Sequence, residues 1–346
     1  VTGLAVDATN SDHIIIGAET GGVWRSIDAG ATWTPMGDYF SNLYVYSVAI
    51  DPQDSDIYYF GSNSGLIYRS LDAGATWTEF DVEFKPGDTS VVYASGLKVH
   101  KSIDGGVTFT EVGGFSTSAK MMGVSADDDT VVYVVEASGG SFGGLYKSID
   151  SGDSFTELDH TGKNYFGYEI GQSGGQAPRD MDITVSPIDV DEVHIAGVLT
   201  YRSMDGGVSF DQSSEWQPGQ ATSQNMGYCH ADVDLLIFDG TTLYVGSDGG
   251  IFKTEDSTDL MAGYYTDITK GLGIRQNYKI GVSQTADVII SGGSQDNGTS
   301  FYNSTDGWRD WIGADGMETF IDKDNNDRMF GTSQQGQLYR SLDGGL

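Results

Sequence analysis

An all-β fold is predicted by three features of the 346-residue sequence. First, a string of the form Ser-x-Asp-x-Gly-x-Thr-Trp recurs eight times. It is complete at Ser26–Trp33 and Ser70–Trp77 and weaker from Ser102, Ser148, Ser203, Thr254, Ser304 and Ser341. Second, successive starts lie 44, 32, 46, 55, 51, 50 and 37 residues apart, a mean of 45. Third, the stretches between are short, β-branched and aromatic, bounded by Asp, Asn and Gly, and none has helical periodicity. Four antiparallel strands repeated at this period describe a propeller blade. The chain therefore reads as a β-propeller of about eight repeats, seven or eight blades, with residues 1–346 as one domain of a longer multidomain protein.

The elements of one repeat follow in order. Val48-Ala-Ile-Asp-Pro reads as a first strand and a polar turn, and Ile57-Tyr-Tyr-Phe-Gly61 as a second strand ending in glycine. Leu66-Ile-Tyr-Arg-Ser70 is the third strand, the recurring string a turn, and the residues from Thr76-Trp77 the fourth strand. Leu4–Gly17, Ile183–Gly197 and Phe320–Gly331 fit the same template. In the turn, the Asp carboxylate and the Ser or Thr hydroxyl are suited to bonding backbone amides, and the glycine to a positive φ. Asp28, Asp72, Asp104, Asp150, Asp205, Asp306 and Asp343 are thus expected to hold hairpins, with the closing Trp or Phe packed between blades. One junction departs from the pattern. After Trp77 a fourth strand meets the next first strand with almost no loop, although the return to the channel spans about 14 Å, three strand spacings. Either this blade is abbreviated or residues are missing there, and the spacing of 32 favours the second reading.

Composition narrows the function. Fifty acids oppose 18 Lys and Arg, a net charge of −32, which disfavours nucleic acid and anionic membranes as partners. Of the acids 39 are Asp, the turn-forming carboxylate. No apolar run is long enough to span a bilayer. Val1 opens inside a strand-like segment with no leader before it, as in a mature or trimmed chain, and the single cysteine, Cys229, does not report the compartment.

In a four-stranded blade the second-to-third-strand loop and the blade-to-blade loop open on one face, opposite the recurring turns. Ligand-binding residues are therefore expected among Asp232, Asp248, Asp296, Asp315 and Gln334, in Gly-, Asn- and Gln-rich loops suited to sugar hydroxyls or a divalent cation such as calcium. Cys229-His230-Ala-Asp232-Val-Asp234 places His230, Asp232 and Asp234 on one face if it is a strand, a candidate metal set that an inward polar stripe explains equally well. Asp322–Asp327 mimics a calcium loop but lacks the closing Glu, so turn chemistry accounts for it better.

The recurring turns resemble those of Asp-box (BNR) repeat proteins, which include sialidases, sortilin-type domains and xyloglucanase-type glycoside hydrolases. The resemblance covers essentially the whole chain and implies a scaffold shared by enzymes and binders. Sialidase chemistry needs an arginine cluster, but Arg25, Arg69, Arg202 and Arg340 all occupy the repeat position just before the box. The loop Gly17-Ala-Glu19-Thr-Gly-Gly is similar to the xyloglucanase-type loop carrying the general base, with Glu in place of Asp. Met181-Asp182-Ile183 resembles the segment carrying the general acid. The resemblance thus implies Glu19 and Asp182 as the carboxylate pair of an inverting hydrolase. That family uses two tandem propellers, whereas this chain supplies about one. Gln295-Asp296-Asn297-Gly298 and Gly271–Gln276 look similar to secreted flavobacterial surface proteins. The leading expectation is an extracellular or cell-surface module that binds a polysaccharide, a surface glycan or a protein, alongside other domains of the same polypeptide. An endo-acting hydrolase is the second reading and a structural repeat unit the third.

Overall fold

Residues 3–18, 21–36, 44–51, 54–62, 67–270, 277–294 and 297–345 are described by the computed structural model. Among them, apart from one short parallel pair, the fold is a series of antiparallel sheets, each a meander in chain order. Gly3–Val6, Ile14–Ala18, Gly22–Ser26 and Thr34–Met36 make the first; 120–158, 182–212, 233–267 and 279–312 each supply another four-stranded sheet. Two compact units result, 1–247 with 252–266, and 248–251 with 267–346.

In the first unit, successive sheets enclose apolar layers between them. Val23, Val45, Phe60 and Tyr68 form one layer, and Tyr93, Met122, Val132 and Val134 another. Tyr133, Leu145, Ile183, Val193 and Tyr201 form the largest, and Ala196, Leu236, Leu243 and Phe252 the next. The second unit packs the sheet of 279–312 against the three strands Gly316–Ile321, Met329–Ser333 and Leu338–Ser341. A Cβ on Gly293 would lie 2.1 Å from the Met317 carbonyl oxygen, so only glycine allows these backbones to meet.

The recurring turns are built alike at Asp28, Asp72, Asp104, Asp150 and Asp205. At the first, Ser26 Oγ donates to Asp28 Oδ1 at 2.8 Å and accepts from the Gly30 amide at 2.8 Å. The Thr32 amide and hydroxyl bond the two carboxylate oxygens at 2.8 and 2.6 Å. These donors hold the carboxylates below the usual range, to about 2 at Asp104 and Asp150. The residue after the Asp lies at positive φ and donates its amide to the first hairpin turn of the same sheet: Ala29 to Asp12 O, Ala73 to Asp56 O, Gly105 to Ser90 O, Ser151 to Thr130 O and Gly206 to Asp191 O. Asp343 keeps the Ser341 bonds, whereas at Asp306 a different turn forms, in which the carboxylate takes Arg309 Nη2 at 2.8 Å and Asn303 Nδ2 at 3.1 Å. Of the closing aromatics, Trp77, Phe155 and Phe210 pack into the layers, while Trp33 and Phe109 are exposed.

At four of the boxes the cation just before the Ser latches the next turn along. Arg25 donates to Ala73 O at 2.8 Å, Lys101 pairs with Asp153 at 2.6 Å, Lys147 reaches Asp191 at 3.4 Å, and Arg202 donates to the Ser257 and Thr258 carbonyls.

Two features depart from the repeat template. At the abbreviated junction there is no return loop: the strand Thr78–Phe84 serves two sheets. Residues 78–80 pair with Ile67–Arg69 as a fourth strand, and residues 81–84 pair with Val92–Ser95 as a first strand, giving one seven-stranded sheet. With no residues to reach the channel, the chain runs straight on and offers its other half to the next hairpin. A helix, Pro218–Gln224, also appears, opened by Pro218 in its first turn and closed by Asn225 at φ 56°. At seven residues it is too short to display a period.

Candidate functional site

Two blade-to-blade loops of the first unit, 159–181 and 213–232, are far longer than the others there. The first is organised by Asn164, buried beneath it. Its Oδ1 accepts from the Phe142 and Phe166 amides at 2.8 and 3.2 Å, and its Nδ2 donates to the Gln172 and Gly174 carbonyls, both at 2.6 Å. His160 joins Tyr165 Oη at 3.0 Å and Gly207 O at 2.9 Å, fixing the loop's entry. The second loop carries the helix and a short parallel pairing of Ser214–Glu215 with Gly227–Tyr228. Gln176 Nε2 crosses from the first loop to Asp232 Oδ1 of the second at 2.6 Å. On the same two loops, Tyr168 and Trp216 meet edge to face with ring centroids 6.1 Å apart, and they remain 52% and 41% exposed. Glu169, beside Tyr168, accepts from Gln172 Nε2 at 2.7 Å. An exposed aromatic pair held on a tied loop frame, with carboxylates and amides around it, is a surface that can stack a ring and bond its rim.

Asp182 begins the inner strand that follows the first loop. It is half-buried; its Oδ1 accepts from the Ile183 amide at 2.8 Å, and its Oδ2 from the Leu236 amide of the neighbouring inner strand at 2.6 Å. Burial pushes its carboxyl up to about 8, with the charge of Asp81 adding. Asp81 does the same work elsewhere: it accepts from the Met122 amide of its neighbouring inner strand at 2.5 Å, and burial raises it to about 6. Asp81 pairs with Ser95 and Asp182 with Ala196, and Gly96 and Gly197 follow those partners in sequence, so the two acids occupy one repeat position. Glu83, two residues on along the same strand, is raised to about 8 by burial and by the charges of Asp81 and Asp182.

The other sequence-derived candidates fall as follows. Glu19 and Asp296 lie outside the described residues. Asp232 is buried at φ 61°, ahead of the strand Val233–Asp239, and a bulge between Val233 and Leu235 interrupts the alternation. His230, Asp232 and Asp234 therefore do not share a strand face as expected. Asp234 is exposed, His230 Nδ1 lies 3.1 Å from Ala231 O, and among the described residues no three His, Cys, Asp or Glu side chains converge as metal ligands. Asp248, Asp315 and Gln334 belong to the second unit. Asp248 O accepts from Asn297 Nδ2 at 3.3 Å, Asp315 is buried, and Gln334 is exposed in a 3-10 turn. Sequence reading missed Tyr168, Trp216, Gln176, Asp81 and Glu83. A signal for the first three was present, because the two longest spacings between boxes, 55 and 51, bracket these loops.

A family model described as sortilin, neurotensin receptor 3, matches residues 21–101. No curated protein is significantly similar to the chain. Among solved structures, a GH74 xyloglucanase from Xanthomonas campestris is 16% identical with a TM-score of 0.56, over 100% of this chain and 59% of that one. A GH74 enzyme from Niastella koreensis is 14% identical (TM-score 0.37) over 99% and 59%, and YCF48 from Cyanidioschyzon merolae is 16% identical (TM-score 0.38) over 77% and 82%. The chain thus spans about three fifths of the length of the xyloglucanase-type structures. No helix of the described residues is long and apolar enough to cross a membrane. In its repeating boxed turns and its antiparallel four-stranded sheets, the chain is similar to the Asp-box propellers of the sortilin and xyloglucanase type.

Proposed function

We propose that the chain is an extracellular binding module, one propeller of a larger protein, whose loops 159–181 and 213–232 take a neutral glycan. The observation that carries this reading is the exposed Tyr168–Trp216 pair on loops tied by the Gln176–Asp232 bond. A sugar ring presents an apolar C–H face to an aromatic ring and hydroxyls to the amides and carboxylates at its edge. The net charge of −32 opposes an anionic ligand but not a neutral one. Titrating neutral plant and algal oligosaccharides by isothermal titration calorimetry, which reads wild type and a variant lacking Trp216 alike, is the direct test. Trp216→Ala and Tyr168→Ala are each expected to weaken binding by about tenfold or more, as buried aromatic anchors do. Equal affinity in wild type and both variants would remove the site.

Inverting hydrolysis by Glu19 and Asp182 is a second reading, favoured by one observation. A carboxyl raised to about 8 carries its proton at neutral pH, the state a general acid requires. Reducing-sugar release that Asp182→Asn abolishes and Asp81→Asn leaves intact would establish it. No release from any polysaccharide that the protein binds would eliminate it.

A further inference from the structure

The end of the first unit opposite the aromatic loops carries a feature that its core does not explain. In all five boxes that form the same bonded turn the residue between Ser and Asp is a large aliphatic: Ile27, Leu71, Ile103, Ile149 and Met204. Every one is exposed, by 40 to 74%. The turn does not need them there, since its bonds come from the flanking Ser, Asp, Gly and Thr or Ser. Val107 and Val208 add further exposed apolar surface beside the third and fifth boxes. Where the box degenerates, at Thr254-Glu255-Asp256, the position carries an exposed glutamate instead. An exposed aliphatic repeated at one position of five turns in so acidic a chain marks a surface that is covered in use.

The charge around them is one-sided. The cations nearest the boxes are engaged within the fold: Arg25 on Ala73 O, Lys101 on Asp153, Lys147 on Asp191, and Lys85 on Ser151 Oγ at 2.8 Å. The first hairpin turns, bonded to the boxes through Asp12 O and Asp56 O, present exposed carboxylates at those same residues, and Asp127 and Asp129 are exposed on another. These links join the first boxed turn to the second, and the third to the fourth and fifth. A second copy of a chain with this charge is repelled, and so is an anionic bilayer.

We propose that this set of boxed turns is a docking surface for a cationic amphipathic protein segment, whose apolar side chains cover Ile27, Leu71, Ile103, Ile149 and Met204 while its Lys and Arg meet the surrounding carboxylates. The site is separate from the aromatic loops, so it stands or falls independently of the glycan reading.

The test uses the whole chain and a synthetic amphipathic Leu/Lys peptide, with a Leu/Glu peptide of the same pattern and a Lys/Ser peptide as controls. Wild type is expected to bind Leu/Lys at least about tenfold more tightly than either control. Ile103→Ser/Ile149→Ser is expected to lose about tenfold in that affinity with its melting temperature unchanged. Four results would overturn the proposal: no binding of Leu/Lys by wild type; equal binding of Lys/Ser, which makes the attraction charge alone; unchanged affinity in the double variant; or a wild-type dimer, or capture by anionic vesicles, that the double substitution abolishes.

Discussion

Glu83 offers the sharpest test of how the inner strands are held. Its carboxyl sits half-buried beside Asp81 on its own strand and feels Asp182 from another, so burial and like charge raise it from 4.5 to about 8. The sign of the linkage follows. Between those values the folded chain binds a proton that the unfolded chain has released, so this group's contribution falls as pH rises and is fully lost above about 8. The full shift is worth about 4.8 kcal/mol at 1.36 kcal/mol per unit. Partial contact with water reduces the usable figure to about 1–2 kcal/mol. Asp182 and Asp81 slope the same way, toward about 8 and about 6. His100, His160 and His194 oppose them: burial lowers each, so acid weakens the fold through them. The wild-type profile therefore mixes signs, and the informative quantity is the difference made by one variant. Glu83→Gln keeps the shape and cannot ionise. Urea unfolding is expected to show it about 1–2 kcal/mol more stable than wild type at pH 8.5 and within error of wild type at pH 5. A variant advantage that is the same at both values, or absent at pH 8.5, would show that Glu83 is not a repelled, protonated group.

Further expectations rest on single contacts. Ala29 and Ala73 sit at φ 57° where the third and fifth boxes carry Gly105 and Gly206, so Ala29→Gly and Ala73→Gly should each stabilise by about 1 kcal/mol by relieving left-handed strain, measurable as a rise in melting temperature. Ser148→Ala removes the acceptor for the Gly152 amide and the donor to Asp150, and should lower stability by about 1–3 kcal/mol in urea unfolding. Lys120 is buried against Glu136 at 3.1 Å; Lys120→Met alone should cost about 3–5 kcal/mol by stranding the carboxylate, and adding Glu136→Leu should recover most of it.

The scaffold was legible in the sequence because each box is a local device. Ser26, Asp28, Gly30 and Thr32 find one another within seven residues, and nothing distant is needed to close that turn. Arg25 and Arg202 were legible as repeat positions, though not as latches, since their acceptors lie 48 and 55 residues away. The shared strand Thr78–Phe84 was half legible: the missing loop showed at the junction, but strand pairing on both edges is a tertiary outcome. The site was least legible. Asp81, Glu83 and Asp182 influence one another only because inner strands a hundred residues apart converge, and Tyr168 meets Trp216 across two loops whose excess length was the sole advance sign. For His230, Asp232 and Asp234 the period of two failed because a left-handed residue and a bulge intervene, and neither announces itself in composition.

Comparing Asp81 with Asp182 separates scaffold from function. Both stand at one repeat position, both accept the amide of a neighbouring inner strand, and burial raises both. Whatever the bonded carboxyl does for the fold, it does twice, so the bond to Leu236 does not distinguish Asp182, and the raised carboxyl does so only in degree, about 8 against about 6. What differs is the surroundings. Asp81 follows a strand that runs on without a loop, whereas Asp182 follows loop 159–181, with loop 213–232 preceding the inner strand it bonds. Those loops hold the paired exposed aromatics. On the proposed glycan reading recognition falls to the loops and their rings, and it is this neighbourhood, not the strand position, that sets Asp182 apart from Asp81.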